Sequence, residues 1–228
     1  MAKKKSLSQR LVRSFYYKYF ARNILFELQM RARAQSADYA EAHMADAIIF
    51  EDAIKMLKYC VKQAPAGAVL EFGVADGGSI ADIASVHNGI VHGFDSFEGL
   101  PEDWTGHTET AGTFDRGGAL PKVPKNVELH KGWFSDTIPV WKAAHADKVG
   151  FLHMDCDIYS STRDVLALMK DRLQVGTIIK FDEYFNYPGW QRHEFRAWKE
   201  FVEANGVEYR YIAFTSLHGR VAVEITKI

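Results

Sequence analysis

Two apolar runs in this sequence end in paired acidic residues. One run is followed by Asp155 and Asp157, and the other by Asp182 and Glu183. Carboxylates at the carboxyl ends of buried parallel strands face the crevice where open α/β sheets bind ligands. Acidic side chains held this close repel one another unless a cation or a proton lies among them, and Mg²⁺ prefers oxygen ligands. The pattern therefore predicts a metal-assisted active site.

A glycine-rich turn at residues 71–79 reads E-F-G-V-A-D-G-G-S. Glycine lets the backbone approach a ligand closely, and the helix start that follows supplies free N–H donors. The spacing is not the G-x-G-x-x-G of a nicotinamide-dependent enzyme, and Asp76 would repel a pyrophosphate. Asp76 suits a positively charged ligand, whereas Ser79 suits a carboxylate. An amino acid-like ligand satisfies both residues; the plain alternative is a tight turn with a serine cap.

Asp95 ends the second predicted strand, about twenty residues beyond the glycine turn, where an acid commonly accepts both hydroxyls of a ribose. The alternative is a helix cap or a surface acid. Taken together, the turn and Asp95 predict a ligand that joins a nucleoside to an amino acid, which is S-adenosylmethionine.

The elements that must position these residues alternate along the chain. The predicted strands are 68–72, 90–94, 127–130, 149–154, 177–181, 208–215 and 220–226. The predicted helices are one or two within 36–63, one from about 79, and 136–144, 161–172 and 191–205. This alternation predicts a Rossmann-like α/β fold, with a mostly parallel seven-stranded sheet and an antiparallel C-terminal strand. Residues 1–64 are predicted to form an N-terminal helical extension, and residues 65–228 the ligand-binding domain.

Composition limits the classes of function. A formal net charge of −1 over 228 residues argues against a nucleic-acid binder. The two cysteines, Cys60 and Cys156, lie far apart and form no disulfide framework. This predicts that the protein is located in the reducing cytoplasm. No apolar run is long enough to span a membrane. The basic start, with Lys3, Lys4 and Lys5, leads into a predicted helix at 11–33 that packs on the domain or on a second subunit. That helix could also rest weakly on an anionic membrane surface.

Four segments carry a resemblance to a known family. They are L-E-F-G-V-A-D-G-G-S, G-F-D-S-F-E-G-L-P-E-D-W, H-M-D-C-D-I-Y-S-S-T-R-D-V-L and I-I-K-F-D-E-Y, in order between Leu70 and Phe201. Together they resemble the macrocin O-methyltransferase family. The resemblance implies a class I, S-adenosylmethionine-dependent and Mg²⁺-dependent enzyme that methylates sugar hydroxyls of natural products and forms homodimers or larger homo-oligomers. A more distant resemblance to catechol-type O-methyltransferases covers the glycine turn and the metal carboxylates.

The resemblance also implies roles for individual residues. The implied cofactor-binding residues are Glu71, Gly73, Asp76, Gly77, Ser79, Asp95, Ser96, Trp133, Phe134 and Ser135. The implied metal ligands are Asp155, Asp182 and Glu183, and Asp157 matches the carboxylate usually proposed as the general base. Glu183 departs from the family, which commonly has a second aspartate there. Lys180 is also unusual, and it could point to the opposite face of its strand.

In an extended chain, Asp155 and Asp157 share one side, so that one can hold a metal ion while the other takes the proton of an acceptor hydroxyl. His153 and His193 are alternative bases, although His153 lies inside a predicted strand. Acceptor specificity is predicted in loops 99–126 and 184–190 and in the N-terminal helices. The aromatic candidates for acceptor contact or for anchoring a lid are Trp104, His107, Phe114, Tyr187 and Trp190.

Two other functions stay open at this point. One is a methyltransferase that acts on a phenol or catechol, and the other is a non-catalytic S-adenosylmethionine-binding partner protein. Only an enzyme would release S-adenosylhomocysteine in the presence of an acceptor.

Overall fold

Eight strands form one sheet in the computed structural model, which describes residues 7–228. The strands are β1 (Ile48–Phe50), β2 (Ala68–Phe72), β3 (Val91–Asp95), β4 (Val127–Lys131), β5 (Val149–Met154), β6 (Ile178–Phe181), β7 (Glu208–Thr215) and β8 (Val221–Lys227). Their order across the sheet is β1-β7-β8-β6-β5-β2-β3-β4. All neighbours are parallel except the pairs made by β8, which is antiparallel to both β6 and β7. The predicted fold class is confirmed.

The order of the strands reverses at β2, which is a topological switch point of the sheet. Strands β3 and β4 extend the sheet on one side of β2, whereas β5 and β6 extend it on the other. In open α/β sheets, the ligand crevice lies at the carboxyl ends of the strands at such a switch point. Here the glycine turn follows β2, and Asp155 follows β5, so the topology brings these two segments to the same crevice.

Seven α-helices pack around or extend from the sheet in the described part of the chain. They are α1 (Leu7–Tyr16), α2 (Ile24–His43), α3 (Ala53–Gln63), α4 (Gly78–Ala84), α5 (Phe134–Ala144), α6 (Tyr159–Met169) and α7 (Glu194–Asn205). A π-helical segment, Tyr17–Ala21, follows α1, and single 3₁₀ turns lie at Lys170–Arg172 and Trp190–Arg192.

The sheet separates two hydrophobic cores because side chains alternate along each strand. On one face, Leu70 and Phe72 of β2 pack with Trp141 of α5 and Trp198 of α7. On the other face, Val69 of β2 packs in the core that includes residues of α3 and α4. Burial on both faces makes β2 a rigid support for the turn that follows it.

The prediction of seven strands and of helix throughout 36–63 was wrong at one place. Ile48–Phe50 forms β1, an eighth strand that pairs in parallel with residues 213–215 of β7. Three residues carry too little pattern to distinguish a strand from a helix, and the pairing partner lies far along the sequence. Strand β1 therefore belongs to the sheet, and helix α3 packs against one face of it. The domain boundary at residue 64 stays a prediction.

The predicted helix at 11–33 is two helices that meet at a break. Asn23 caps α2 by accepting a hydrogen bond from the Phe26 N–H at 3.1 Å. Helix α1 buries none of its residues, whereas α2 buries Ala32 and Ser36 in its second half. The three lysines near the start lie outside the described residues. In residues 7–228, no helix has the length and apolarity needed to cross a bilayer.

Candidate active site

A cavity of about 510 Å³ lies at the carboxyl ends of β2, β3, β4 and β5. The predicted site residues that line it are Gly73, Asp76, Ser79, Asp95, Ser96, Trp133, Phe134, Asp155, Asp157 and Glu183. The predicted residues that do not line it are Glu71, Gly77, Ser135 and Asp182. The structure thus brings the turn, the second-strand acid and most of the paired acids to one space.

The glycine turn approaches the end of β5 so closely that one position admits only glycine. A Cβ atom on Gly73 would lie 1.7 Å from the carbonyl oxygen of Asp155, and the φ angle of Gly73 is +92°. Both features exclude a larger residue without movement of the backbone. This contact brings the turn against the acids that follow β5.

Asp95 organises the glycine turn through the backbone. Its Oδ2 accepts hydrogen bonds from the N–H groups of Val74 and Ala75 at 2.7 and 2.8 Å, and its Oδ1 accepts one from Phe97 at 2.7 Å. A carboxylate offers about four acceptor positions, so a ligand hydroxyl can still be accepted. The sequence indicated a ribose contact but not this positioning role, because the bonds join segments about twenty residues apart.

Asp76 forms an ion pair with the guanidinium of Arg116, in the irregular loop, and remains largely exposed. The sequence indicated that Asp76 would meet a positively charged ligand, and in the structure the positive partner is a side chain of the protein. Arg116 was missed because nothing in its local pattern distinguishes it from a solvated loop residue.

Glu71 lies beneath the cavity, fully buried, in a chain of polar contacts. The Ser79 hydroxyl donates to Glu71 Oε1, and His153 Nδ1 lies 3.3 Å from the same oxygen. Lys180 Nζ lies 2.8 Å from His153 Nε2. Because lysine only donates, Nε2 accepts and the proton of this imidazole sits on Nδ1, directed at Glu71. His153 is therefore a buried link between two strands, which agrees with its position inside a predicted strand.

Asp155 and Asp157 reach the cavity by a different route from the one predicted. Strand β5 ends at Met154, and Asp157 has a left-handed φ of 63°, so strand alternation does not relate the two carboxylates. The left-handed residue turns the chain towards α6, which begins at Tyr159. Both side chains nevertheless line the cavity.

Asp182 lies behind the cavity wall among basic groups. Its Oδ1 accepts hydrogen bonds from Lys180 Nζ and, at 3.0 Å, from Arg220 Nε. Burial raises the pKa of Asp182, but Lys180, His153 and Arg220 outweigh it and hold the pKa well below its usual range. Lys180 thus points to the same side as Asp182 and not to the opposite face. Residues i and i+2 of an extended chain share a face, which places the Lys180 side chain beside that of Asp182.

The remaining acids carry raised pKa values. Burial, followed by the charges of Asp182 and Asp157, raises the pKa of Asp155 well above its usual range and that of Glu183 to about 8. Burial, followed by Asp182 and Glu109, raises the pKa of Asp157 to about 7. The carboxylates at this cavity wall therefore lack enough positive charge to ionise together at neutral pH.

Two buried acids next to this wall also lack a partner. Glu71 Oε2 and Glu194 Oε1 are buried, and no described residue forms a hydrogen bond with either oxygen. Neither residue lines the cavity, but ligand atoms of Glu71 and Asp155 lie within 4.8 Å of each other. His153 lies between them, yet both of its nitrogens are engaged by Glu71 and Lys180. Carboxylate oxygens are the donors that Mg²⁺ prefers, so the acids fit such an ion.

The aromatic residues proposed for acceptor contact divide into two groups. Trp104, His107 and Phe114 line the cavity, and the Trp104 and His107 rings stack with centroids 4.2 Å apart. Tyr187 and Trp190 do not line the cavity, and they pack in the core instead. The loop at 99–126 thus forms part of the cavity wall, and its role in acceptor specificity stays a prediction. Sequence reasoning had no means to separate the lining residues from the anchoring ones.

His193, the second alternative base, also lies outside the cavity. Its Nε2 lies 2.9 Å from the carbonyl oxygen of Thr105, which fixes the loop to the start of α7.

Residues 113–213 match the family model described as Macrocin-O-methyltransferase (TylF). The resemblance to this family is confirmed. Over 160 residues the chain is 29% identical to an 8-demethyl-8-(2,3-dimethoxy-α-L-rhamnosyl)-tetracenomycin-C 4'-O-methyltransferase of Streptomyces olivaceus, covering 56% of this chain and 58% of the relative. Over 149 residues it is 30% identical to a demethyldecarbamoylnovobiocin O-methyltransferase of Streptomyces niveus, covering 54% of each. The matches thus span little more than half the length of these relatives.

The fold has a counterpart among solved structures. The calicheamicin methyltransferase CalS11 superposes with a TM-score of 0.58 at 20% identity, covering 97% of this chain and 94% of that one. At this level of identity the likeness concerns the fold alone.

Proposed function

We propose that this chain is an O-methyltransferase that uses S-adenosylmethionine and Mg²⁺ and acts on a hydroxyl of a sugar or of a glycosylated natural product. The observation that carries the proposal is the single cavity, in which the glycine turn and Asp95 lie opposite Asp155, Asp157 and Glu183. One space therefore offers a surface for a nucleoside cofactor beside a group of acids.

The cofactor side of the cavity has the features that a nucleoside with an amino acid tail requires. Gly73 leaves the backbone open to the ligand, Asp95 is available to hydroxyls, and Trp133 and Phe134 offer aromatic surface to a base. Glu71 and Ser79 hold the base of the turn in place. When bound, S-adenosylmethionine would supply an electrophilic methyl group.

The residues that would hold Mg²⁺ are Asp155 and Glu183 at the cavity wall and Asp182 behind them. When bound, the ion would supply positive charge that favours the ionised form of an acceptor hydroxyl. Lys180 and Arg220 hold Asp182 in its ionised form and fix its orientation. The extra methylene of Glu183, relative to the aspartate common in the family, lengthens its reach into the cavity.

Asp157 is the residue that we assign to the acceptor proton. It lines the cavity, and burial with neighbouring acids raises its pKa to about 7, which suits a general base at neutral pH. The left-handed turn at Asp157 holds the carboxylate beside Asp155 without relying on strand geometry. Positioning of the hydroxyl against the methyl donor supplies much of the expected rate.

The substrate class rests on the relatives and on the cavity rim. One relative is named for a methylation at the 4' position of a rhamnosyl compound. Trp104, His107 and Phe114 offer flat apolar faces to a sugar ring or to its aglycone. We extend the proposal to a cytoplasmic homo-oligomer whose subunits contact one another through the N-terminal helices, where apolar side chains are exposed.

A screen of acceptors tests the function. The full-length protein is incubated with S-adenosylmethionine labelled in its methyl group and a panel of glycosylated, free-sugar, phenolic and catecholic acceptors, with and without Mg²⁺. We expect label in a glycosylated acceptor, at a sugar hydroxyl located by mass spectrometry. Asp155→Asn should abolish most of the Mg²⁺-dependent turnover while calorimetry still shows cofactor binding.

Label only in phenols or catechols would contradict the substrate class. Cofactor binding with no labelled product from any acceptor would favour a non-catalytic binding protein.

A further inference from the structure

A second group of side chains of the types that ligate metals lies on β3 and β4, away from the cavity. His92 is on β3, and Glu128 and His130 are on β4; none of the three lines the cavity. His92 stands beside Glu128 in the register of the two strands, and His130 follows Glu128 by two residues. All three side chains therefore project from the same face of the sheet.

The distances within this group match a coordination sphere. His92 Nδ1 lies 3.1 Å from His130 Nε2 and 3.6 Å from Glu128 Oε2, and the three atoms lie within 4.8 Å of one another. Zinc binds histidine nitrogen and carboxylate oxygen at about 2.0–2.2 Å in a tetrahedron, which places its ligand atoms roughly 3.3–3.5 Å apart. The observed separations bracket this value, so small side-chain adjustments suffice.

The surroundings favour imidazoles in the form that binds metals. Burial, followed by the proximity of His130 and His145, lowers the pKa of His92 to about 4, and burial lowers that of His130. Both rings are neutral at pH 7, and a neutral histidine presents a nitrogen lone pair to a cation. His92 Nδ1 and His130 Nε2 lie at hydrogen-bond distance, so one of them carries a proton in that bond. When each ring carries its proton on its other nitrogen, both of these nitrogens present a lone pair to the ion.

A third histidine adjoins the group. The ring centroid of His145 lies 4.9 Å from that of His92, and His145 Nδ1 lies 2.9 Å from the carbonyl oxygen of Trp141. A histidine whose Nδ1–H donates to a backbone carbonyl keeps Nε2 as an acceptor, which is the usual arrangement beside a bound metal. Helix α5 therefore borders the same site as the two strands.

We propose that His92, Glu128 and His130 form a binding site for a zinc-class divalent cation that ties the edge strand β4 to β3. Within residues 7–228, β4 is the last strand of the sheet and pairs with β3 alone. The other edge of β4 presents N–H and C=O groups that no strand pairs, so an ion shared by the two strands would give β4 a second link to the sheet. Because β4 leads directly into Gly132, Trp133 and Phe134, the site would also hold one wall of the cavity in place.

Zinc titration of the full-length protein tests this site. Zn²⁺ is added in the presence of excess Mg²⁺, which occupies oxygen-rich sites, and binding is followed by competition with a chromophoric chelator. We expect one equivalent of tightly bound Zn²⁺. Glu128→Gln and His130→Gln should each weaken the affinity at least about tenfold. Glu128 is exposed, so its variant keeps the test valid even where His130→Gln folds poorly.

Two further variants locate the ion. His87→Gln replaces a half-buried histidine outside the group and should bind Zn²⁺ as the wild type does. Asp155→Asn should also retain the equivalent of zinc. No Zn²⁺ binding in excess Mg²⁺, or binding that is lost in Asp155→Asn but unchanged in Glu128→Gln and His130→Gln, would overturn the proposal.

Discussion

Asp157 and Asp155 differ in how the backbone holds them, and this difference suits different roles. Asp155 follows the last residue of β5 and stands against the Gly73 contact. Asp157 has a left-handed backbone conformation. The residue is 9% exposed, and its side chain lines the cavity. The acid nearer the sheet suits a fixed metal ligand, whereas the acid on the turn suits proton transfer.

Asp157→Asn removes the proposed base with little change of shape. We expect turnover to fall on the order of a hundredfold or more, since a positioned base contributes about that much, while cofactor affinity stays close to that of the wild type. Steady-state rates and calorimetry measure the two quantities. Asp38→Asn, at an exposed position of α2, is the matched control. Full activity of Asp157→Asn would remove the residue from the mechanism.

The raised pKa values of Asp157 and Glu183 predict how Mg²⁺ affects stability. Between about pH 4 and pH 8, the metal-free folded protein binds more protons at these groups than the unfolded chain does. Its free energy of unfolding therefore falls as pH rises from about 4 and levels off once pH has passed the folded-state pKa values of about 7 and 8. A bound cation compensates the ionised acids, so Mg²⁺ should raise Tm more at pH 8.5 than at pH 6.5.

Thermal unfolding of chelator-treated protein, with and without added Mg²⁺, measures this effect. Glu183→Gln should reduce the difference between the two pH values. An equal effect of Mg²⁺ at both pH values would argue against a cation among these acids.

For individual residues, the sequence indicated which side chains could take part in chemistry. It did not indicate which side chains they contact. Gly73, Asp95, Asp155, Asp157 and Glu183 line one cavity, because strand ends in a parallel sheet converge, whereas Asp182 lies behind its wall. The contacts of Asp182 with Arg220 and of Asp76 with Arg116 join distant segments, so no local pattern contains them.

The contact between β2 and β5 is the element-scale feature on which the cavity depends. Gly73→Ala places a methyl group against the Asp155 carbonyl at a positive φ angle. We expect a loss of about 1–3 kcal/mol in the free energy of unfolding, or more, because the two strand ends must separate. Cofactor binding should weaken as well. Chemical denaturation and calorimetry measure both.

Gly78→Ala is the matched control, because it lies in the same turn and a Cβ there meets nothing within 4 Å. Its stability should stay within about 0.5 kcal/mol of the wild type. Equal stability of the two variants would show that the close approach is not required.

Strands with a clear hydrophobic pattern were predicted with the correct first and last residues, whereas the short strand β1 was missed. The predicted strands 68–72, 149–154 and 208–215 coincide with β2, β5 and β7, since each is a long, mostly apolar or alternating run bounded by turn residues. Strand β1 was missed because it exists through pairing with β7, and its three residues fit a helical pattern equally well.

In a single copy of the chain, the N-terminal segment leaves many apolar side chains exposed to solvent. Exposed apolar side chains follow one another through α1, the π-helical segment and the start of α2, including Leu11 at 63% and Phe15 at 58%. Contiguous apolar surface of this kind marks an interaction site. We expect the full-length protein to be a dimer or larger by sedimentation equilibrium.

The double variant Leu11→Gln, Phe15→Gln should shift that equilibrium towards monomer. Val140→Gln, Val175→Gln removes exposed apolar side chains elsewhere and should leave the assembly unchanged. A wild-type monomer at micromolar concentration would contradict the proposed assembly.

The proposed reaction needs the cofactor surface, the acids and Mg²⁺ together, and one rate depends on all three. The release of S-adenosylhomocysteine is followed with a glycosylated acceptor after the protein has been treated with a chelator, and again after Mg²⁺ is restored. We predict a fall of about a hundredfold or more on chelation. Mg²⁺ added together with one equivalent of Zn²⁺, which refills the proposed zinc site, should restore the full rate, whereas Zn²⁺ alone should not, because the acids around Asp155 cannot act without their counter-charge. A rate that chelation leaves unchanged would contradict the account.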